Sequence, residues 1–221
     1  MGKRVHPKTQ DSLPMRFFLN HWFETLLDFP NIAPEVQQNA ASAFRRAVLR
    51  HRKGIPSPQA RWGWKNPRNM WLIPFYASVY PQLKFVHVIR DGRDMSLSNN
   101  LFLLKSHGKV LVGSNWSANP AAAQLEAWAR GNLRAAEAER YCAPGNYLRL
   151  RYEDLCLSPH VTARRLFDFL GASESSIDEA LREVRPSAGI GRWRSGQADG
   201  TIAALSPAAE TALRRFGYLL S

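Results

Sequence analysis

In the segment KFVHVIRDGRDMSLS (84–98) an apolar run ends in Arg90, Asp91, Arg93 and Asp94, with Gly92 among them and Ser98 eight positions after Arg90. A guanidinium presents forked N–H donors, the geometry that grips phosphate or sulfate. A helix beginning just past such an arginine adds free backbone N–H groups and a partial positive charge. A serine one or two turns into that helix has its hydroxyl within reach of an anion held there. Asp91 and Asp94 would cap N–H groups and restrain the arginines, and Gly92 permits a turn closed to larger residues. The same residues equally describe a surface ion-pair cluster.

Three further segments have similar chemistry. WGWKNPRN (62–69) sets Lys65 between two tryptophans and a proline that fixes the backbone, where its ammonium could face a phosphate or simply be solvated. RLRYEDL (149–155) repeats the pattern of a strand ending in a cation, with Tyr152 offering a ring to a base or a hydrogen bond. RPSAGIGRWRSG (185–196) is a glycine-rich stretch with three arginines and Trp193, either a clamp over an anion or a solvated basic loop.

The composition is globular, at 45% apolar and 11% aromatic with seven Trp residues. A net charge of +12 favours a polyanionic partner without choosing among nucleotide, nucleic acid, sulfated glycan and acidic membrane surface. Arginine greatly outnumbers lysine, which suits bidentate oxyanion binding or reflects a codon-biased genome. Cys142 and Cys156 match no metal-ligand spacing and no disulfide framework, and read as ordinary thiols. No stretch has the ~18 apolar residues of a membrane span, and the first residues lack the apolar core of a signal peptide. The expectation is a cytoplasmic protein.

The elements that must position these residues follow from periodicity and punctuation. Residues 11–53 predict two helices, the second with Pro34 in its first turn and Val36, Ala40, Phe44 and Ala47 at helical spacing. A loop at 54–58 leads to a short strand over Trp62–Lys65, then to a helix with Leu72, Phe75 and Val79 on one face. A strand at 84–89 reads as buried on both faces, and a helix from about Asp94 carries Leu97, Leu101 and Leu104. Asn119-Pro120 opens a long helix ending near Tyr141, and APGN turns into a strand at 147–151. A helix from Ser158-Pro159, bearing Leu166, Phe167 and Leu170, stops at Gly171. A short helix over 176–184, a basic loop at 185–200 and a last helix from Ser206-Pro207 to Phe216 complete the chain. Strands alternating with helices predict an α/β fold with a short parallel sheet and ligands on the rim of the strand ends. Residues 1–60 form a helical N-terminal segment and 61–221 the α/β domain.

Taken in this order, WKNPR, PQLKFVHVIRDGRDMSLS, RYEDLCLSP and GIGRWRSG with a C-terminal GY resemble the sulfotransferases that use 3′-phosphoadenosine 5′-phosphosulfate, most closely their carbohydrate-type and bacterial branch. The resemblance spans roughly residues 61 to 218. It implies a P-loop-NTPase-like three-layer sandwich and transfer of a sulfuryl group to a hydroxyl on a small molecule or carbohydrate, with no metal. It implies that Arg90 and Ser98 bind the 3′-phosphate, that Tyr152 contacts the adenine, and that Arg192 and Arg194 close over the 3′-phosphate. Lys65 matches the lysine at the transferring group, and Ser187 corresponds to a serine near it in some branches. The acceptor pocket would form from the variable residues 11–53 and 99–118.

Two departures go with the resemblance. Lys65-Asn66-Pro67 lacks the histidine base of the phenol and steroid enzymes; branches with a Lys-x-Pro pattern use an upstream acid, for which Glu24 and Glu35 qualify by location. The glycine-rich loop that cradles the 5′-phosphosulfate has no counterpart, the nearest spacing being Gly108 to Gly113 without the P-loop lysine. The first, central strand of the family sheet is therefore expected to be missing. The strands ending at Arg90 and Arg151 would leave two edges open or come together, and the chain is expected to be poorly stable or inactive. Two other readings remain: a non-catalytic binder of nucleotide or sulfated glycan, and a basic nucleic-acid-binding protein. The last lacks any recognition motif, so no nucleic acid partner is expected. Nothing in the sequence speaks to oligomeric state.

Overall fold

The computed structural model describes residues 13–53, 55, 57, 60–182, 184–185, 187–195 and 205–219. The first twelve residues, parts of the 54–58 loop and the end of the basic loop lie outside the described residues. The architecture is mixed and mostly helical, around a small two-stranded parallel sheet.

The N-terminal half is an aromatic core. α1 (Leu13–Leu26) buries Met15, Phe18, Leu19, Phe23 and Leu26, the stripe that a 3.6-residue period lays along one face. α2 (Pro34–Arg52) has proline in its first turn and buries Ala40, Phe44, Ala47 and Val48 against it. A 3-10 turn (Pro67–Trp71) and α3 (Ile73–Val79), with Pro74 in its first turn, complete the cluster.

The expected strand at Trp62–Lys65 is not formed; residues 61–66 have no regular structure. The tryptophans explain this. Trp62 and Trp64 stack at 6.0 Å and pack on α2 and α3, with Trp64 5.7 Å from Phe44 and 5.6 Å from Tyr76. Ring burial of that kind needs no ladder partner. Lys65 therefore does not stand at a strand end.

β1 (Phe85–Ile89) pairs in parallel with β2 (Tyr147–Arg151), Phe85 opposite Tyr147 and Ile89 opposite Arg151. With no strand between them, the two are direct hydrogen-bonded neighbours. Burial on both faces does not hold, since Val88 is 56% exposed. The covered face carries His87 and Ile89. Ile89 packs with Leu125, Trp128 and Ala129 of α6 (Pro120–Ala138) and with Ala212, Leu213 and Phe216 of α10 (Pro207–Arg215) and its end. α6 begins where the Asn119 side chain accepts from Ala122 N–H at 3.1 Å, and α10 where Ser206 Oγ accepts from Ala209 N–H at 3.1 Å.

His87 is fixed as a neutral ring. Asn132 donates its amide to Trp128 O at 2.7 Å, so its oxygen faces His87 Nε2, which donates at 2.8 Å. Nδ1 is left to accept from the Tyr147 hydroxyl at 2.6 Å. Burial holds the His87 pKa down to about 4; the Asn132 contact opposes that shift and the nearby Arg149 charge adds to it.

The helix expected from Asp94 through Leu104 is split. α4 (Gly92–Ser96) spans five residues, and α5 (Phe102–Val112) starts after an irregular stretch. Side chains divert the backbone: Ser98 Oγ accepts from Asn100 N–H at 3.1 Å, and Asn100 Oδ1 from Phe102 N–H at 3.2 Å. α7 (Tyr152–Leu157) was not anticipated. It is followed by α8 (Pro159–Leu170), which buries Thr162 and Ala163, whereas Leu170 is 38% exposed. Gly171 ends α8 at φ 63°. α9 (Ile177–Leu181) is a single short turn. Among the described residues no helix is long and apolar enough to cross a membrane.

Candidate functional site

Because β1 and β2 are parallel neighbours, Arg90 and Tyr152 leave adjacent strand tips. The Arg90 guanidinium lies 5.2 Å from the Tyr152 ring centroid, and Trp128 Nε1 donates to Arg90 O at 2.9 Å. Arg90 Nη2 donates to Gly189 O at 2.5 Å, which brings the basic loop onto the strand tip. A Cβ at Gly189 would stand 2.5 Å from that same nitrogen, so a side chain there would push the guanidinium aside.

α4 anchors the rest of the loop. Asp91 Oδ1 accepts from Arg93 N–H at 3.0 Å, and its other oxygen takes the Arg93 guanidinium at 2.7 Å. Asp94 does not cap the helix. Its two oxygens accept from Gly191 N–H at 2.7 Å and Trp193 N–H at 3.1 Å, and its carbonyl accepts from Arg192 Nη2 at 2.8 Å. Trp193 lies between two guanidiniums, Arg93 at 3.7 Å and Arg194 at 4.6 Å. Ser187 Oγ accepts from Gly189 N–H at 3.3 Å. α4 itself presses on α6, where a Cβ on Gly92 would come within 2.4 Å of the Trp128 ring.

Glu153 and Tyr218 join the two strand tips from behind. Glu153 accepts from Asp91 N–H at 2.9 Å and from the Tyr218 hydroxyl at 2.8 Å, while Tyr218 O accepts from Arg93 at 2.8 Å. Burial, and then the Glu153 carboxylate, raise the Tyr218 hydroxyl above the ordinary phenol pKa, so it stays a donor.

Two donors on this site have no partner among the described residues. Arg90 Nε and Arg192 Nε are buried without a hydrogen bond among the described residues.

The structure thus brings together Arg90, Tyr152, Ser187, Arg192 and Arg194. Ser98 lies two residues past α4 rather than inside a helix, tied to α6 by Gln124 Nε2 donating to Ser98 O at 2.8 Å. α4 is a single turn and offers an anion no helix terminus, so the donors left are side chains and loop. Lys65 is exposed and makes no hydrogen bond or ion pair with a described residue.

Beside Lys65, however, runs a buried polar chain that sequence reasoning missed. Asn66 Oδ1 accepts from Arg68 Nε at 3.3 Å, Arg68 Nη1 faces His107 Nε2 at 3.4 Å, and His107 Nδ1 meets Glu24 Oε1 at 2.8 Å. A guanidinium only donates, so Nε2 accepts and Nδ1–H donates to Glu24. Glu24 is half exposed, whereas Glu35 sits exposed in the first turn of α2. Gly108 and Gly113 belong to α5 and its C-cap, not to a phosphate loop.

A family model described as the sulfotransferase family matches residues 7–176. The chain belongs to the sulfotransferase family. None of the curated proteins and none of the solved structures matches it. The matched span of this sulfotransferase includes α1 and α2 with Glu24, as well as Lys65, Arg90, Ser98 and Tyr152, and it stops before the 187–195 loop and Tyr218. Family membership supports sulfotransferase activity in general terms.

Proposed function

We propose that this sulfotransferase moves a sulfuryl group from 3′-phosphoadenosine 5′-phosphosulfate to a hydroxyl acceptor. The observation that carries the reading is the pair of orphaned donors: Arg90 Nε, whose guanidinium lies beside the Tyr152 ring, and Arg192 Nε, on the loop that Asp94 ties to α4. A buried unmatched donor costs about 1–3 kcal/mol, and oxygens of a 3′-phosphate accepting from both would recover that cost. Arg90, Arg192 and Arg194 fit the phosphate of the nucleotide half of the donor and Tyr152 the base; Ser98 is assigned to the same phosphate by the resemblance alone.

The donor supplies an activated sulfuryl group. The acceptor oxygen attacks sulfur, the bond to the 5′-phosphate breaks, and charge collects on the leaving phosphate oxygen. Lys65 is the residue assigned to that charge, with Ser187 near the reacting group. Glu24, held by His107 on Arg68, is the assigned base for the acceptor proton. A carbohydrate hydroxyl is the favoured acceptor, by resemblance to the carbohydrate-type branch. A second reading, a nucleotide binder without catalysis, is favoured by Lys65 making no hydrogen bond or ion pair with a described residue.

Adenosine 3′,5′-bisphosphate should raise the melting temperature of the protein. Arg90→Ala should weaken its binding by the loss of charge-assisted bonds of about 1.5–3 kcal/mol, roughly tenfold to a hundredfold. Labelled sulfate should then pass from the full donor to sugar or phenol hydroxyls. Stabilisation without transfer would leave the binder, and no stabilisation at all would end both readings.

A further inference from the structure

Along β2 lies a cavity of about 430 Å³ that borders the Arg90 site where the Arg151 guanidinium lies 4.4 Å from the Tyr218 ring. Arg149, Arg151, Arg165 and Arg215 line it, opposed only by the carboxylates of Glu139 and Asp154. Three elements supply the arginines. β-strand alternation sends Arg149 and Arg151 to one face of β2, while Arg165 comes from α8 and Arg215 from the last turn of α10.

The four guanidiniums outnumber the two carboxylates of the lining. None of them forms an ion pair within 4.0 Å with a described carboxylate. Their chain neighbours behave otherwise: Arg164 pairs with Glu174 at 2.7 Å and Arg214 with Glu210 at 2.9 Å. Arg151 Nε is buried with no hydrogen-bond partner among the described residues, although its guanidinium rests on the Tyr218 ring, and that open donor suits an oxyanion. Converging like charges repel each other, and an anion between them reverses the sign of that energy.

The aromatic residues narrow the ligand class. Phe216 is 6% exposed, with the Arg149 guanidinium 5.7 Å from its ring. The Tyr147 ring is stacked on Phe85 at 5.8 Å and its hydroxyl is spent on His87. Both lining rings are thus engaged by protein side chains, whereas single-stranded nucleic acids are held by open stacking platforms. Guanidinium forks match sulfate as they match phosphate. The two carboxylates suit the hydroxyls of a polyol and would be repelled by a ligand consisting only of phosphates.

We infer that this groove binds a sulfated saccharide, its sulfates on the four arginines and its hydroxyls on Glu139 and Asp154. The saccharide class rests on the proposed reaction, since sulfated chains surround an enzyme that sulfates glycans; the oxyanion preference rests on the groove alone.

The test titrates the full chain with sulfated maltohexaose, unsulfated maltohexaose, inorganic sulfate and a single-stranded oligonucleotide of equal charge. The sulfated sugar should bind and the unsulfated one should not. R149Q/R215Q should weaken binding about tenfold or more, on the scale of one or two lost charge-assisted bonds. R164Q/R214Q, with the same loss of charge, should change it less than about twofold, as expected of surface pairs. Equal losses in the two double variants would mean that only net charge matters, and would overturn the proposal. So would an oligonucleotide that binds as tightly and responds to the same variant, or inorganic sulfate that saturates the site by itself. If R149Q/R215Q melts early, R165Q, at an exposed side chain on α8, replaces it and should still weaken binding severalfold. Stabilisation by adenosine 3′,5′-bisphosphate should survive in every variant, so failure of the groove and failure of the donor site are read separately.

Discussion

The two halves of the molecule are held together by different forces. Around Phe44 the rings of Phe18, Trp64, Phe75, Tyr76 and Tyr80 lie 4.9–5.7 Å away, and Phe44 itself is fully buried. At the strand tips the buried residues are Asp91, Arg93, Asp94 and Glu153, and what joins them is charge-assisted hydrogen bonding. Apolar packing is non-directional and tolerates small shifts, while carboxylate-to-N–H contacts fix positions to a few tenths of an ångström. The aromatic half therefore supplies stability, and the strand tips supply geometry.

Mutations that separate stability from loop order sharpen that contrast. The largest effect belongs to the rings: Phe44→Ala should cost ~3–5 kcal/mol in urea unfolding through its cavity. Should it instead free the 187–195 loop while leaving stability intact, the division is wrong.

Next comes acid. His87 is neutral when folded, with a pKa near 4 against 6.5 unfolded, so between those values the unfolded chain binds the extra proton. Stability contributed by the neutral ring is complete above about pH 6.5 and is lost as pH falls toward 4. The loss is on the order of 3 kcal/mol and should vanish in a His87→Asn variant followed by urea unfolding across that window.

Asp94→Ala should cost about 2 kcal/mol, from its two backbone acceptor contacts. Its main signature is faster amide exchange at Gly191 and Trp193 together with weaker bisphosphate binding, at unchanged packing around Phe44. Smallest is Tyr218→Phe, which removes one donor to Glu153 and should cost about 1 kcal/mol by thermal melting. A loss as large as that of Phe44→Ala would mean that the strand tips also carry global stability.

How much of this was legible depends on the range of the interaction. Pro34, Asn119-Pro120, Ser206-Pro207 and Gly171 mark helix ends through groups within four residues, and those ends stand where the sequence puts them. β2 was readable to the residue, and β1 to within one. The break after Ser96 was not, because Ser98 and Asn100 turn the backbone against an apolar stripe that reads as helix. Arg68, in the basic segment beside Lys65, is buried under Phe23, Asn20 and His107, partners that no local pattern supplies.

By itself the sequence determined where the arginines leave the strands and which residues cap the helices, because capping and periodicity are satisfied by near neighbours. Tertiary structure alone decided that β1 meets β2 directly. It likewise decided that Asp94 serves a loop almost a hundred residues on rather than its own helix, and that Glu153 binds Tyr218. Such pairings depend on which surfaces meet when the helices pack on the sheet, and no local pattern records that.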